Sequence, residues 1–340
     1  MRGAVSAGMC VVLEAMGLVS AFDRIYGVSA GALNACATAA GQAALAATLY
    51  EDAAIRGVIN RMRPLVRRPV VNFEVLFGEV IGARKPLSFD GLAAGPEFRA
   101  LATSLETMSL RVLADFPDMT EAMDAVRASG ALPGLGGPAP RFRGERMTDG
   151  GLIEPIPFQT ALAEGATHVL VLRSRPAGYR KRSLVGVAEA LALHESPGLV
   201  ELLRQRQGTY NRLAAQLEAG DATPDENRVF QIAVPGDTRL IGRLETDADR
   251  VAGAVRRGAM TMARPSSPGR STSAGSPLCI GPGPRSQRGW RPDAGVPRSV
   301  TGSGRTSRPS AADGAFLVRC PDWTGWTQWM LSRRVTTLAE

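Results

Sequence analysis

The sequence predicts an α/β fold in which a mainly parallel central sheet is sandwiched between helices. Short apolar runs at residues 168–172 and 229–234 are typical of strands that are covered on both faces. Between them, apolar side chains recur every three to four residues from Leu199 to Leu217, which predicts a helix that crosses between two parallel strands. A third short segment at residues 22–26 ends in a glycine turn before an alanine-rich stretch, so strand, sharp turn and helix follow one another.

Further helices are predicted around these strands. Apolar residues spaced three or four positions apart indicate that the chain begins with an amphipathic helix. The apolar face of this helix comprises Val5, Met9, Val12, Leu13 and Met16. We expect the alanine-rich helix to run from about Ala32 to Ala54. A shorter helix at residues 158–164 should be stopped by Gly165 before the second strand.

Composition divides the chain into a domain at residues 1–262 and a tail at residues 263–340. Arginine, proline, glycine and serine supply 41 of the 77 residues from Arg264 onward, which predicts a low-complexity, disordered tail. This tail holds 11 arginines and four acidic residues, whereas the preceding residues carry 29 basic and 28 acidic side chains. The basic balance of the chain therefore comes from the tail. It is poor evidence for nucleic-acid binding, and we expect no nucleic-acid partner.

A candidate nucleophile, Ser29, lies in the segment Gly27–Gly31, which has the pattern Gly-x-Ser-x-Gly between a predicted strand and a predicted helix. A serine hydroxyl is a weak nucleophile and needs exposure, a base and donors for an oxyanion. Gly27 and Gly31 permit the sharp turn that exposes such a serine, and the amide of Ala30 would donate to the oxyanion at the positive end of the next helix. The pattern alone also fits a structural turn of small residues.

The base for Ser29 can be supplied in two ways. Asp149 precedes Gly150 and Gly151 on a loop punctuated by prolines, and a partly desolvated carboxylate can accept a serine proton directly. An aspartate in this position is also a common turn residue that caps backbone amides. The alternative is a Ser-Asp-His esterase, because Ser29, Asp149 and His194 occur in the order of an α/β-hydrolase. The short chain before Ser29 and the helical context of His194 argue against this alternative.

Three motifs occur in order along the chain. They are G-V-S-A-G-A-L-N-A from Gly27, A-S-G-A-L-P from Ala128, and D-G-G-L followed by P-I-P from Asp149. Together they resemble the bacterial patatin-like phospholipases, and the resemblance covers residues 1 to about 262. It implies a patatin-like sheet between helices, a lipid acyl hydrolase, Ser29 as nucleophile and Asp149 as base. Hydrolysis would pass through an acyl-enzyme with water as second acceptor, and it would require no metal or cofactor.

The beginning of the chain departs from this family pattern. The family carries a Gly-Gly-Gly-x-Arg-Gly loop whose amides form the oxyanion hole after the first strand, and only Arg2 and Gly3 match the end of that loop. We therefore expect an N-terminally truncated or mis-set start that lacks the first strand and the glycine loop, with Gly3 as the remaining donor. Losing one oxyanion donor costs roughly 10²–10³ in turnover. The alternative function is a catalytically weak or inactive remnant that binds a lipid or a partner.

Basic and apolar residues are interleaved after the nucleophile helix, and a second basic cluster lies at residues 180–182. Such a surface can rest on anionic lipid headgroups, and a solvated loop has the same composition. No segment is apolar enough to span a bilayer. We expect a cytoplasmic protein that acts on a lipid or other acyl ester, with peripheral contact to an anionic membrane as an alternative. The arginines of the first group are Arg56, Arg61, Arg63, Arg67 and Arg68.

Overall fold

The computed structural model describes residues 1–52, 55–60, 62–63, 68–132, 135–182, 197–219, 228–238, 241–263 and 335–339. These residues belong to one compact unit, formed by Met1–Arg264 together with Asp322–Glu340. They confirm the predicted α/β class, because a sheet with a parallel centre is flanked by helices.

The helices in the described parts of the chain are α1 (Gly3–Ala15), α2 (Ala30–Ala39), α3 (Ala43–Glu51), α4 (Ile55–Val58), α5 (Phe89–Ala94), α6 (Met119–Gly130), α7 (Phe158–Ala163), α8 (Pro197–Ala219) and α9 (Ala248–Ala263). A π-helical segment spans Glu74–Arg84, and 3₁₀ turns lie at Val19–Ala21 and Gly150–Leu152. The strands are β1 (Phe22–Val28), β2 (Glu97–Ser104), β3 (Leu110–Leu113), β4 (Arg141–Phe142), β5 (Glu145–Asp149), β6 (His168–Arg173), β7 (Arg228–Ala233) and β8 (Val335–Ala339).

The strand order is β4-β5-β2-β1-β8-β6-β7, and β3 pairs with β2 outside this path. The centre of the sheet, from β2 through β1, β8 and β6 to β7, is parallel, whereas β3, β4 and β5 pair antiparallel. Strands β1 and β5 both pair with the side of β2 that faces away from β3. On this side β1 pairs with β2 as far as Leu101, and β5 pairs with β2 from Ala102 onward. The carboxyl ends of β1 and β5 therefore meet end to end, and this junction positions the candidate site.

Helices cover both faces of the sheet, as the apolar strands predict. Alternate residues of β6 belong to two cores: Leu170 and Leu172 pack with the helices α1, α2, α3 and α9, whereas Val169 and Val171 pack with α7 and α8. The contact between α1 and α9 is close, because a Cβ atom added to Gly8 would lie 1.9 Å from a backbone oxygen of α9. Burial around most of α1 also differs from the single apolar face predicted for it.

Some predicted elements differ in extent from the observed ones. The helix expected from about Ala32 to Ala54 is interrupted after α2, where Gly41 has a φ of 66° that glycine adopts readily. The strands β2 to β5 were not predicted, because alanines, arginines and threonines give these short segments no clear period of two. The predicted pair β6 and β7 and the crossover helix α8 are confirmed, and the two strands are parallel.

Strand β8 lies within the segment for which the sequence predicts a disordered tail. Its backbone pairs in parallel with β1 on one side and with β6 on the other. Two neighbouring strands present backbone donors and acceptors to this position, and β-branched residues such as Val335 favour an extended backbone there. Residues 264–334 lie outside the described part of the chain. Disorder of the tail, the proposed domain boundary and the N-terminal truncation all stay predictions.

Candidate active site

Ser29 occupies a strained turn between β1 and α2. Its φ of 56° and ψ of −127° lie outside the regions that a residue with a Cβ atom prefers. The strand and helix approach so closely that a Cβ atom on Gly27 would lie 2.5 Å from the Cα atom of Ala32. Gly31 is buried in the first turn of α2. The two predicted glycines therefore permit a sharp turn, and backbone strain of this kind is characteristic of functional sites.

Ser129, at the end of α6, holds this turn in place. Its hydroxyl oxygen accepts a hydrogen bond of 2.9 Å from the amide of Ser29, and the hydroxyl donates to the carbonyl of Leu101 at 2.6 Å. Ser129 is completely buried. Ser129 belongs to the motif A-S-G-A-L-P, which was recognised only as part of the family resemblance, and the pattern carried no indication of the role of this residue.

Asp149 reaches the same junction from the opposite direction. It is the last residue of β5 and pairs with Ala102 of β2, one residue beyond the pairing of Val28 with Leu101. Ser29 directly follows Val28, so the register brings the two predicted catalytic residues together. The segment after α6 also secures β5, because the amide of Asp149 donates to the carbonyl of Ala131 at 3.0 Å. One short segment therefore supports both residues.

The carboxylate of Asp149 is almost completely buried, with 1% of the residue exposed. Its Oδ1 atom accepts a hydrogen bond of 2.8 Å from the amide of Gly151, while its Oδ2 atom accepts none among the described residues. The guanidinium Nη2 of Arg206 lies 3.6 Å from Oδ2 and provides a counter-ion. A Cβ atom on Gly150 would lie 2.3 Å from the carbonyl oxygen of Leu101, so both glycines of the predicted loop allow the turn to pack closely.

The amino-terminal ends of α1 and α2 converge beside Ser29. A Cβ atom on Gly3 would lie 2.7 Å from the Cβ of Ala30. Neither the backbone amide of Gly3 nor that of Ala30 donates to an acceptor among the residues that the structure describes. Unpaired amides at helix starts favour a negative charge. Asn34, which sequence reasoning missed, joins the two helices by donating from Nδ2 to the carbonyl of Gly3 at 2.9 Å while accepting from the Tyr50 hydroxyl at 2.9 Å.

Ser29 and Asp149 line one cavity of about 250 Å³. Asp149 is the sole carboxylate among its described lining residues. One part of the wall is apolar and is formed by Leu33, Leu49, Val58, Ile59, Val71, Phe73, Leu76, Phe77, Val126, Leu132 and Leu135. The cationic residues of the wall are Arg2, Arg175, Lys181, Arg206 and Arg243.

Of the two histidines in the chain, only His168 lies among the described residues. His168 begins β6, whereas Ser29 follows the end of β1, and both strands run parallel to β8. A strand of six or seven residues is roughly 20 Å long, so His168 lies at the amino ends of these strands, whereas Ser29 lies at their carboxyl ends. His194 lies outside the described residues. The Ser-Asp-His alternative therefore stays untested.

Of the basic group after the nucleophile helix, only the side chains of Arg63 and Arg68 are described, and Arg68 is exposed. In the second cluster, Arg180 pairs with Glu218 at 2.8 Å, and Lys181 lines the cavity. No helix within the described ranges is long and apolar enough to cross a bilayer. The same residues contain no cluster of three or more His, Cys, Asp or Glu side chains that could hold a metal ion.

Two comparisons relate this chain to known proteins. Residues 1–162 match the family model of the patatin-like phospholipases. The uncharacterized protein YjjU of Escherichia coli (strain K12) is 25% identical over 221 residues, which is 63% of this chain and 60% of that relative. The chain thus spans less than two thirds of the length of this relative. The match confirms the resemblance over residues 1–162, which include Ser29 and Asp149, whereas the motifs had predicted it as far as about residue 262.

Proposed function

Because residues 1–162 match the patatin-like phospholipases, a family of lipid acyl hydrolases, we propose that this chain hydrolyses a lipid acyl ester through Ser29 and Asp149. One observation carries the proposal. The strained Ser29 and the buried Oδ2 of Asp149, which accepts no hydrogen bond among the described residues, line the same largely apolar cavity. A carboxylate oxygen of this kind has the capacity to accept a proton from a neighbouring hydroxyl.

In the first step, Ser29 Oγ attacks the ester carbonyl carbon while its proton passes to Asp149. Negative charge develops on the carbonyl oxygen, where the amides of Gly3 and Ala30 can donate hydrogen bonds from the starts of α1 and α2. Asp149 then returns the proton to the departing alkoxide. The products of this half-reaction are an alcohol and an acyl-enzyme ester on Ser29.

In the second step, water replaces the alcohol as the attacking group. Asp149 takes a proton from this water as its oxygen bonds to the acyl carbon, and the same amides stabilise the oxyanion. Collapse of the intermediate returns the proton to Ser29 Oγ and releases a carboxylic acid. Each side chain is restored, so the cycle needs only the ester and water.

The proposal is tested by hydrolysis of a short-chain p-nitrophenyl ester by the full chain. We expect Ser29→Ala and Asp149→Asn each to lower kcat by about 10³-fold or more while the circular dichroism spectrum is retained. Ser20→Ala, at an exposed serine outside the cavity, is the matched control and should keep full activity.

Two other outcomes would point elsewhere. A folded chain without serine-dependent turnover would favour the non-catalytic remnant that binds a lipid or partner. Loss of activity in His194→Ala, with the fold retained, would favour the Ser-Asp-His esterase.

A further inference from the structure

The cationic end of the cavity contains a buried arginine whose charge is incompletely satisfied. Arg175 follows β6 and is 5% exposed. Its guanidinium stacks on the ring of Tyr179, with 4.2 Å from Cζ to the ring centroid, while its Nη1 atom donates to no acceptor among the described residues. Buried guanidinium groups normally donate to carboxylates or carbonyls, because an unmade hydrogen bond at a charged group is costly.

Arg243 enters the same end of the cavity from the segment before α9. Burial, together with the nearby Arg206 and Arg2, lowers the pKa of Arg243 to about 10. Asp149 opposes this shift, but Arg175 adds to it. No carboxylate in the described part of the chain forms an ion pair with either Arg243 or Arg175. The guanidinium groups thus repel one another in a partly dehydrated place.

The charges of this region do not balance within the described residues. Asp149 is the sole described carboxylate of the cavity wall, and Arg206 is already its counter-ion at 3.6 Å. Arg175 and Arg243, two of the five cationic residues of the wall, form no ion pair with a described carboxylate. An anion between them would accept hydrogen bonds from both guanidinium groups and relieve their repulsion. Planar guanidinium groups commonly donate in this way to phosphate or carboxylate oxygens.

We propose that Arg175 and Arg243 form a subsite that selects esters with a net-anionic headgroup, either a phosphate monoester or a carboxylate. This assignment rests on the proposed ester hydrolysis at Ser29. The apolar wall of the cavity takes the acyl chain, and the anion on the alcohol part of the ester contacts the two arginines. The described wall presents no second carboxylate to balance a quaternary ammonium group, so zwitterionic headgroups are disfavoured.

The test compares three esters with the same octanoyl chain: octanoyl-glycerol 3-phosphate, octanoyl-glycerol and octanoyl-glycerophosphocholine. We expect the unaltered chain to hydrolyse the phosphate monoester with the highest kcat/KM. The ratio of kcat/KM for this ester to that for the neutral ester should fall at least tenfold in Arg175→Gln and in Arg243→Gln. Arg243→Lys keeps the charge and should retain most of the ratio.

Arg250→Gln is the matched control, because Arg250 is exposed on α9 and lies outside the cavity. Equal hydrolysis of the three esters, or ratios unchanged in both cavity variants, would overturn the subsite and leave the proposed hydrolase intact. Preference for the neutral ester together with inhibition by added inorganic phosphate would identify a site for free phosphate, and would also overturn selection of an anionic ester.

Binding separates failure of the subsite from failure of catalysis. Glycerol 3-phosphate is titrated into the folded Ser29→Ala chain by calorimetry, with glycerol as the uncharged control. Binding that weakens at least tenfold in Ser29→Ala combined with Arg175→Gln supports the subsite even if no ester is hydrolysed. Absence of binding to Ser29→Ala, with no headgroup preference in turnover, rejects it.

Discussion

Arginine side chains pair with carboxylates at the amino end of the central sheet, whereas at the carboxyl end they outnumber the described carboxylates. Toward the amino end of β1, each guanidinium has a carboxylate partner. Arg24 pairs with Glu97 at 3.0 Å, and Arg99 pairs with the same Glu97 at 2.6 Å and also with Glu164. These four residues form the amino-end network, in which two positive and two negative charges balance.

At the carboxyl end, Arg175 and Arg243 lie near Arg206 and a single carboxylate of the cavity. Balanced ion pairs serve the fold, because each partner offsets the dehydration of the other. An excess of buried charge works against the fold, since the repulsion and dehydration are not offset within the domain. This difference indicates a structural role for the amino-end network and supports the proposed anion subsite at the carboxyl end.

Among the substitutions that compare the two ends of the sheet, the largest effect is expected when the amino-end network is broken. Glu164→Gln removes the charge that accepts hydrogen bonds from Arg99 and from the Tyr26 hydroxyl. We expect the free energy of unfolding to fall by about 2 kcal/mol, because Arg99 keeps its charge in a half-buried place with one acceptor fewer. Urea denaturation measures this loss. Ester turnover by the folded variant should be unchanged, and a selective loss of turnover would contradict a purely structural role.

An arginine that pairs with a carboxylate and one that pairs with none among the described residues also lie two residues apart at the end of β6, and the stabilisation by the paired one should depend on pH. Arg173 is completely buried and pairs with Glu218 at 3.0 Å, unlike Arg175. Although burial opposes the shift, hydrogen bonds from Arg180 and Arg173 lower the pKa of Glu218 to about 2. A lowered folded-state pKa stabilises the fold at pH values above about 4.5, and this contribution disappears as the pH falls toward 2.

Glu218→Gln should accordingly lower the free energy of unfolding by about 1.5 kcal/mol at pH 7, the typical contribution of a hydrogen bond to a charged group. The difference between the variant and the unaltered chain should shrink steadily between pH 4.5 and pH 2. Denaturation curves across this range measure it. A difference that is independent of pH would show that the charge of Glu218 is not the stabilising feature.

Ser129→Ala tests the carboxyl end in another way, because it disturbs the position of Ser29 without changing any charge. The substitution removes the acceptor for the Ser29 amide and the donor to the Leu101 carbonyl. We expect kcat for the p-nitrophenyl ester to fall about tenfold, because misplacement of a nucleophile raises the barrier, while KM changes little. A merely structural role would instead leave kcat of the folded fraction unchanged and lower only the melting temperature.

The smallest expected effect is a gain in stability. Arg243→Gln removes a charge whose lowered pKa reflects burial and repulsion by neighbouring arginines. We expect the free energy of unfolding to rise by about 1 kcal/mol, a common result when a charge kept for function is removed. Thermal denaturation at pH 7 measures the change, with the exposed Arg250→Gln as control. Destabilisation by more than 1 kcal/mol would instead assign Arg243 a structural role.

Sequence patterns predicted the elements whose signals are local. Burial of both faces produces the apolar runs of β6 and β7, and burial of one helix stripe produces the leucine spacing of α8. These signals lie in neighbouring residues, and the predicted positions of all three elements were confirmed. The break after α2 depends on one glycine, and an alanine-rich composition hides such a break. Strand β8 had no signal at all, because five residues become a strand only where β1 and β6 provide partners.

By itself, the sequence determined that Ser29 follows a strand, that glycines surround it, and that Asp149 opens a glycine turn, since these features reside in neighbouring residues. Only the tertiary structure decided that the ends of β1 and β5 meet along β2, that Ser129 supports both of them, and that Arg175 and Arg243 share one cavity. The physical reason is that register and charge balance depend on residues far apart in the chain. Their hydrogen bonds and repulsions exist only after the sheet and its covering helices have formed.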